Sequence, residues 1–282
     1  MRYELKADML ERFRKMLLEE EKSDATIKKY MHDIQTFFRY AKEAGKVDKE
    51  MVMEYKKTLL KRYQVTSVNS ILASLNRFFQ CMNMYECTIK TCRVQREAFR
   101  SQDRELTKCE YQCLLRTALK KGKRRLYLLM QTICSTGIRV SELRFITVQA
   151  VHAGRASISM KGKTRTILLS SRLQQKLKHY IREKGIREGS VFVSRNGNPL
   201  DRSNILHEMK ALCKEAGVDQ RKVFPHNLRH LFACTYYKME KDISHLADLL
   251  GHSNINTTRI YTRISGEEQI RQMDRLDLLF EK

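Results

Sequence analysis

The segments PHNLRH at residues 225–230 and LLGHSNINTTRIY at residues 249–261 decide how this chain of 282 residues is interpreted. His226 and Arg229 are three positions apart, so one face of a helix presents both side chains. In the second segment a glycine interrupts an apolar run directly before His252. Alone, the first feature is more typical of a solvated surface, and His252 could equally be a helix-cap residue, so the interpretation depends on the rest of the chain.

Two further segments upstream carry basic side chains at special backbone positions. TGIRVSEL at residues 136–143 places Arg139 just after a glycine that breaks a helical pattern. ASISM (156–160) and TILL (166–169) alternate as short strands around the turn KGKTR (161–165). This pattern predicts an antiparallel hairpin with lysines in its turn.

The four segments together supply the groups that attack on a phosphodiester without a metal requires. Two arginines can clamp the charged equatorial oxygens of the transition state, and histidines can move protons near neutral pH. A lysine can protonate the leaving oxygen, and Tyr261 supplies a nucleophile. The sequence has neither a carboxylate cluster of the two-metal type nor a Gly-rich phosphate loop, so we expect no metal and no nucleotide cofactor.

The composition favours a polyanionic partner. Lys+Arg is 55 and Asp+Glu is 32, giving a formal net charge of +23 and a pI near 9.8. Nucleic acid is the commonest partner of such a chain, although a merely soluble basic surface is the alternative. No apolar run is long enough for a membrane span or a signal peptide, so we expect a cytoplasmic protein with eight reduced cysteines.

Helical periodicity predicts two domains. Residues 1–90 show four apolar helical stripes, with caps at Ser23 or Asp24, at Asp48, and at Thr66 or Ser67. The basic segment 91–104 is predicted to be a linker. Residues 105–282 mix helices with the hairpin, and VFV (191–193) is a third strand candidate. A capping box at Thr107 and Glu110 opens this second domain. The predicted fold is mostly α with a small antiparallel β-sheet.

The order of these motifs resembles the tyrosine recombinases, or phage integrases. Arg229 precedes His252 by 23 positions, and His252 precedes Tyr261 by 9, which resembles that family's spacing. The resemblance extends over nearly the whole chain. It implies a four-helix, SAM-like core-binding domain followed by an α+β catalytic domain. The size resembles Xer-type recombinases and simple transposon integrases, which lack an arm-binding domain.

The resemblance implies a role for each residue of the motif. Arg139 and Arg229 would hold the scissile phosphate, and Tyr261 would be the nucleophile. Glu142, three residues after Arg139, resembles an acid that the family often has there, and would orient the other groups.

Proton transfer would fall to the remaining members of the set. Lys161, at the start of the hairpin turn, would be the general acid, and Lys163 is the alternative. His226 would assist proton transfer to or from the tyrosine, and His252 would hydrogen-bond a phosphate oxygen.

The expected function is site-specific recombination of double-stranded DNA through a 3′-phosphotyrosyl intermediate, in integration or excision of a mobile element. Chromosome dimer resolution and DNA inversion use the same chemistry and stay open. A type IB topoisomerase, a catalytically silent DNA-binding regulator and an RNA-binding protein are further alternatives. The apolar face of the tail 268–282 would link protomers in a tetramer on two DNA sites, or else pack on its own domain. An accessory or excision factor is a possible partner.

Overall fold

The computed structural model describes residues 2–42, 46–94, 104–160, 163–194, 196–262, 270–271 and 273–276. By their internal contacts the residues form two compact units, Met1–Arg96 and Glu97–Lys282. Most of the predicted linker 91–104 lies outside the described residues, so the boundaries 1–90 and 105–282 stay predictions. The architecture is mostly helical with one small sheet, as the sequence predicts.

The first unit is a bundle of four helices: α1 Asp8–Glu19, α2 Asp24–Lys42, α3 Lys49–Arg62 and α4 Val65–Cys81. Its core is aromatic, since Phe13 meets Phe78 and Phe37 meets Phe79 in edge-to-face pairs at 5.4 and 5.7 Å. The predicted cap at Asp48 is confirmed, because its side chain accepts a hydrogen bond from the Met51 amide.

The predicted start of α4 is wrong by two or three residues. The helix begins at Val65, and Gln64 at its N-cap makes no side-chain hydrogen bond, whereas Thr66 or Ser67 was expected to cap it. The side chains of Leu72 and Leu75 are fully buried in the bundle. Tertiary packing of this apolar face stabilises the helix without a polar cap, as it does for most helices in proteins.

The second unit has eight helices in the described residues: α5 Lys108–Lys120, α6 Arg124–Thr136, α7 Val148–Ala153, α8 Ser171–Lys184, α9 Arg202–Lys210, α10 Cys213–Ala216, α11 Pro225–Glu240 and α12 Ile243–Leu250. All but α12 contribute to one apolar core, and α12 packs with α11 and Tyr261 in a smaller cluster. The capping box of Thr107 and Glu110 opens α5 as predicted. Helix α11 packs on α6 and α12, so the elements that carry PHNLRH, TGIR and LLGH are neighbours. No helix in the described part of the chain is long and apolar enough to cross a membrane.

The predicted hairpin is confirmed as two antiparallel strands, β1 Arg155–Met160 and β2 Lys163–Leu168. Ala156 pairs with Ile167 and Ile158 with Arg165, so Arg165 points to the same buried face as its apolar neighbours. The third strand candidate, residues 191–193, is wrong. Val193 forms only an isolated bridge with Pro199, because the chain turns at once and offers no partner of strand length.

Two glycines end the helices that flank the site. Gly137 follows α6 with φ of +67°, and Gly251 follows α12 with φ of +63°. A side chain is strained in this left-handed region. Space is short as well, since a Cβ on Gly137 would come within 2.5 Å of the Phe232 ring. The carbonyl groups of Gly137 and Leu250, at the ends of these two helices, are therefore available to accept hydrogen bonds from side chains of the site.

Candidate active site

Arg229 on α11 lies at the C-terminal ends of two other helices. Its Nη1 donates to the Gly137 carbonyl at 2.6 Å and its Nη2 to the Leu250 carbonyl at 2.7 Å. The last carbonyls of a helix have no partner within the helix, and the helix dipole there favours a cation. The side chain is 2% exposed, and burial lowers the pKa of Arg229 to about 10, assisted by the charge of Arg139.

Arg139 is held by Glu142, three residues further along a 3-10 helix. The carboxylate of Glu142 accepts from the backbone amide of Arg139 at 2.7 Å and from its Nη1 at 2.9 Å. Glu142 itself is buried, whereas Arg139 is open to solvent. The sequence expectation that Glu142 orients an active-site group therefore has a geometric basis.

Arg165 was missed by the sequence analysis although it belongs to the same cluster. Its Nη2 donates to Glu142 at 2.6 Å and its Nη1 to the Leu249 carbonyl at 2.7 Å. Burial lowers the pKa of Arg165, and the charge of Glu142 opposes that effect. A signal was present in the sequence, because strand alternation places Arg165 on the same face as Ile167, where an apolar residue is expected.

His252 connects Arg229 to the segment that carries the tyrosine. Its Nε2 lies 2.9 Å from Nη2 of Arg229, and its Nδ1 lies 2.9 Å from the hydroxyl of Thr258. Because a guanidinium only donates, Nε2 must accept and Nδ1 must carry the proton. Burial and the charges of Arg229 and Arg139 lower the pKa of His252 to about 4. The ring is therefore neutral at pH 7.

Tyr261 lies in a short 3-10 helix beside these groups. Its ring is buried, with centroids 5.1 Å from that of His230 and 6.3 Å from that of His252. Burial raises the pKa of Tyr261, while the charge of Arg229 and a hydrogen bond from it lower that pKa. Burial outweighs these effects, so the pKa of Tyr261 is raised overall, and Arg229 offsets part of the cost of forming the phenolate.

A cavity of about 510 Å³ opens next to the arginines. Arg139, His226 and Arg229 line it, together with Arg144 and Arg202, two basic residues that the sequence analysis did not single out. Desolvation of the ring and the charges of Arg229 and Arg202 lower the pKa of His226. A neutral imidazole therefore faces a strongly cationic cavity.

Two sequence predictions fall partly or wholly outside this geometry. Lys161 lies outside the described residues, and its alternative Lys163 is the first residue of β2. In the tail 268–282 only residues 270–271 and 273–276 are described, among which Ile270 is exposed. Within the described part of the chain, no three His, Cys, Asp or Glu side chains come together as metal ligands.

The site brings three arginines together around the carboxylate of Glu142, and Asp201 lies at the wall of the cavity. Such an excess of donors and positive charge suits a tetrahedral oxyanion, which accepts several hydrogen bonds at once. A buried tyrosine beside a cation adds a nucleophile that can be deprotonated. The fold and the site thus define a class of protein: an α+β unit that follows a helical bundle and carries a tyrosine beside an arginine-rich anion site, an arrangement suited to phosphoryl transfer.

Family models match both units. Residues 104–268 match the phage integrase family, and residues 10–83 match the phage integrase N-terminal SAM-like domain. A tyrosine recombinase XerA of Pyrococcus furiosus is 27% identical, covering 98% of this chain and 96% of its own. A TnP I resolvase of Bacillus thuringiensis is 22% identical, covering 96% of this chain and 100% of its own.

A solved structure agrees on the fold. The lambda integrase tetramer bound to a Holliday junction is 19% identical, with a TM-score of 0.70 over 88% of this chain and 77% of that chain. The chain belongs to the phage integrase family, and it is a site-specific tyrosine recombinase that cleaves and rejoins DNA.

Proposed function

We propose that this recombinase integrates and excises a mobile element by cutting double-stranded DNA through Tyr261. The observation that carries the proposal is the contact of Tyr261, Arg229 and His252 within one cationic site. The net charge of +23 supplies the attraction to the DNA backbone. Neither ATP nor a metal is needed, because each step exchanges one phosphodiester for another.

The first step forms the bond between the Tyr261 oxygen and the scissile phosphorus and breaks the bond to the 5′ oxygen. The tyrosine proton passes to His226, which its lowered pKa leaves neutral at pH 7 and accessible from the cavity. The leaving 5′ oxygen takes a proton from Lys161, or from Lys163. In the second step the 5′ hydroxyl of a partner strand attacks the phosphotyrosine and releases Tyr261.

The arginines act on the phosphate itself. Of the five N–H groups of Arg229, four are directed to Gly137, Leu250, His252 and Tyr261, so one remains for a phosphate oxygen. Arg139 lies open to the cavity and can clamp a second oxygen. A bound phosphate offsets the charges that depress the pKa of His252, so that this ring can be protonated and donate a hydrogen bond to the phosphate.

We further propose a tetramer on two DNA sites, linked by the tail 268–282. The described tail residues Ile270, Met273 and Leu276 are exposed apolar side chains, as a face awaiting a neighbouring protomer requires. The lambda integrase structure with the same fold is a tetramer on a Holliday junction. An accessory or excision factor would act on this assembly.

A second biological role, resolution, is favoured by one relative. The Bacillus thuringiensis protein, which matches this chain over its full length, is a resolvase. The chemistry is the same, and only the arrangement of the two sites differs. Directly repeated sites on one plasmid report resolution, inverted sites report inversion, and sites on two plasmids report integration.

The experiment that tests the proposal traps the covalent intermediate. Wild type and Tyr261→Phe are incubated in EDTA, without ATP, with nicked duplexes from the DNA that flanks the gene. We expect a denaturation-resistant protein–DNA adduct with wild type alone. Tight binding without an adduct would indicate a silent regulator. Relaxation of plasmids without exchange between sites would indicate a topoisomerase.

A further inference from the structure

Arg165 joins three parts of the site that are distant in the chain. It lies in β2, four residues after Lys161, and donates to Glu142, 23 positions away, and to the Leu249 carbonyl, 84 positions away. Each of its two Nη atoms makes one of these bonds, at 2.6 and 2.7 Å. Only a planar fork with two separate donors can satisfy both acceptors together.

Each acceptor of Arg165 belongs to a residue that holds a phosphate-binding group. Glu142 binds the backbone amide and the guanidinium of Arg139. Leu249 precedes Leu250, whose carbonyl binds Arg229, and the same turn ends at His252. The two arms of Arg165 therefore support both members of the arginine pair.

The turn after α12 is also fitted to this side chain by shape. A Cβ on Gly251 would lie 2.7 Å from Cδ and 2.8 Å from Nη1 of Arg165. The backbone at Gly251 thus packs directly on the arginine, and the glycine leaves the space that the guanidinium occupies. Hydrogen bonding and close packing independently place Arg165 against the turn.

We propose that Arg165 is a positioning residue that ties the β1–β2 hairpin to Arg139, Arg229 and His252, without touching the phosphate itself. The turn between β1 and β2 contains Lys161, the residue proposed as general acid, so we expect loss of Arg165 to slow the steps that need the acid as well as those that need the phosphate clamp. This inference rests on the proposed function of the site. Its physical basis is that small displacements of reacting groups cost large factors in rate.

The test compares three full-length variants in the nicked-duplex assay. Arg165→Met removes both bonds at similar volume, and Arg165→Lys keeps the charge but loses the fork. Arg155→Met is the matched control, since Arg155 lies exposed on the other face of the same hairpin. We expect Arg165→Met and Arg165→Lys to form adduct about 10- to 100-fold more slowly than the control, as for other supporting contacts.

DNA affinity and the thermal midpoint separate positioning from a structural role. We expect the DNA affinity and the thermal midpoint of the Arg165 variants to match those of Arg155→Met. The Arg165 variants should differ only in a slower rate of adduct formation at saturating DNA. A wild-type rate in Arg165→Lys would show that the fork is not needed and would overturn the proposal. Equal losses of affinity or of folded protein would also overturn it.

Hydrogen exchange on the DNA-free protein tests the proposal without catalysis. The His252 amide is bonded to the Ala247 carbonyl at 2.9 Å within the turn that Arg165 supports. We expect faster exchange at this amide in Arg165→Met than in Arg155→Met. Equal exchange would count against the inference, whereas failure of wild type to form any adduct would count against the proposed function alone.

Gly251→Ala provides an independent check on the packing. The added methyl group displaces Arg165 in wild type but has no guanidinium to displace in Arg165→Met. We expect Gly251→Ala to slow adduct formation by a smaller factor in the Arg165→Met background. Equal factors in both backgrounds would contradict the proposed contact.

Discussion

Both units of the molecule bury charged side chains, and they do so in opposite ways. In the first unit, Asp33 on α2 accepts from Lys29 and from Ser74, each at 2.6 Å. Lys29 also donates to Ser70, so the positive charge, the negative charge and the hydroxyl are all paired. This α2–α4 cluster is electrically balanced, with Asp33 buried and Lys29 partly open to solvent, which is the arrangement of an ion pair that is only structural.

The second unit has an unbalanced cluster. Arg139 and Arg165 share the carboxylate of Glu142, Arg229 lies beside them, and each of the three arginines also donates to a backbone carbonyl. Burial, reinforced by the charges of the neighbouring arginines, lowers the pKa of Arg229 to about 10 and that of His252 to about 4. An anion would relieve this repulsion. The difference between the units is that charges are paired within the first cluster, whereas the second cluster holds an excess of positive charge that an anion can neutralise.

The largest effect that the comparison predicts follows from replacing Arg229 with lysine. The charge remains, but the fork that spans two carbonyls and a phosphate is lost. We expect adduct formation to slow by about 10²- to 10³-fold, the range for loss of one oriented donor at a reacting oxyanion. Single-turnover trapping measures it, with the exposed Arg155→Lys as control. A loss below tenfold would show that Arg229 is structural.

The balanced cluster should behave in the opposite way. Asp33→Ala removes the acceptor of the buried Ser74 hydroxyl at 2.6 Å and leaves it only the longer bond to the Ser70 carbonyl at 3.3 Å, so we expect the free energy of unfolding to fall by about 1–3 kcal/mol. Adduct formation well below the melting temperature should not change. Denaturant unfolding measures the first quantity, and Glu54→Ala, which removes an exposed ion pair with Lys57, is the matched control. Slower adduct formation by folded Asp33→Ala would show that the cluster in the first unit is not only structural.

The smallest effect concerns inorganic phosphate. Because the arginine cluster offers several donors and an excess of positive charge, we expect phosphate to bind there and to stabilise the protein by about 1.4 kcal/mol at roughly ten times its dissociation constant. The negative charge favours the protonated ring, so the pKa of His252 should rise from about 4. Thermal melts and proton NMR measure the two changes. Chloride at equal ionic strength is the control. An equal shift of the melting temperature in chloride would show that the arginine cluster does not bind phosphate specifically.

Much of the fold follows from local sequence patterns. Periods of 3.6 and 2 placed the helices and the hairpin, and the side chains of Asp48 and Thr107 marked helix starts that the structure confirms. The start of α4 and the third strand were wrong, because tertiary packing and the lack of a partner decided them.

The candidate site was predictable as a set of residues but not as a network. The motifs singled out Arg139, Glu142, Arg229, His252 and Tyr261, which the structure brings together. Their roles, with those of Lys161 and His226, stay proposals. Arg165 and Thr258 carry no motif of their own, and they acquire their roles only through contacts made after folding.

The sequence alone determined which chemistry is available, because residue types and their spacing along helices and strands are local properties. Only the tertiary structure decided how the groups are coupled. The bond from Arg229 to the Gly137 carbonyl crosses 92 positions, and that from Arg165 to Leu249 crosses 84. Contacts between residues so far apart in the chain follow no helical or strand period, so the sequence pattern does not predict them. The tautomer of His252, the burial of Tyr261 and the unbalanced charge follow from the packing of α6, α11 and α12 around one arginine.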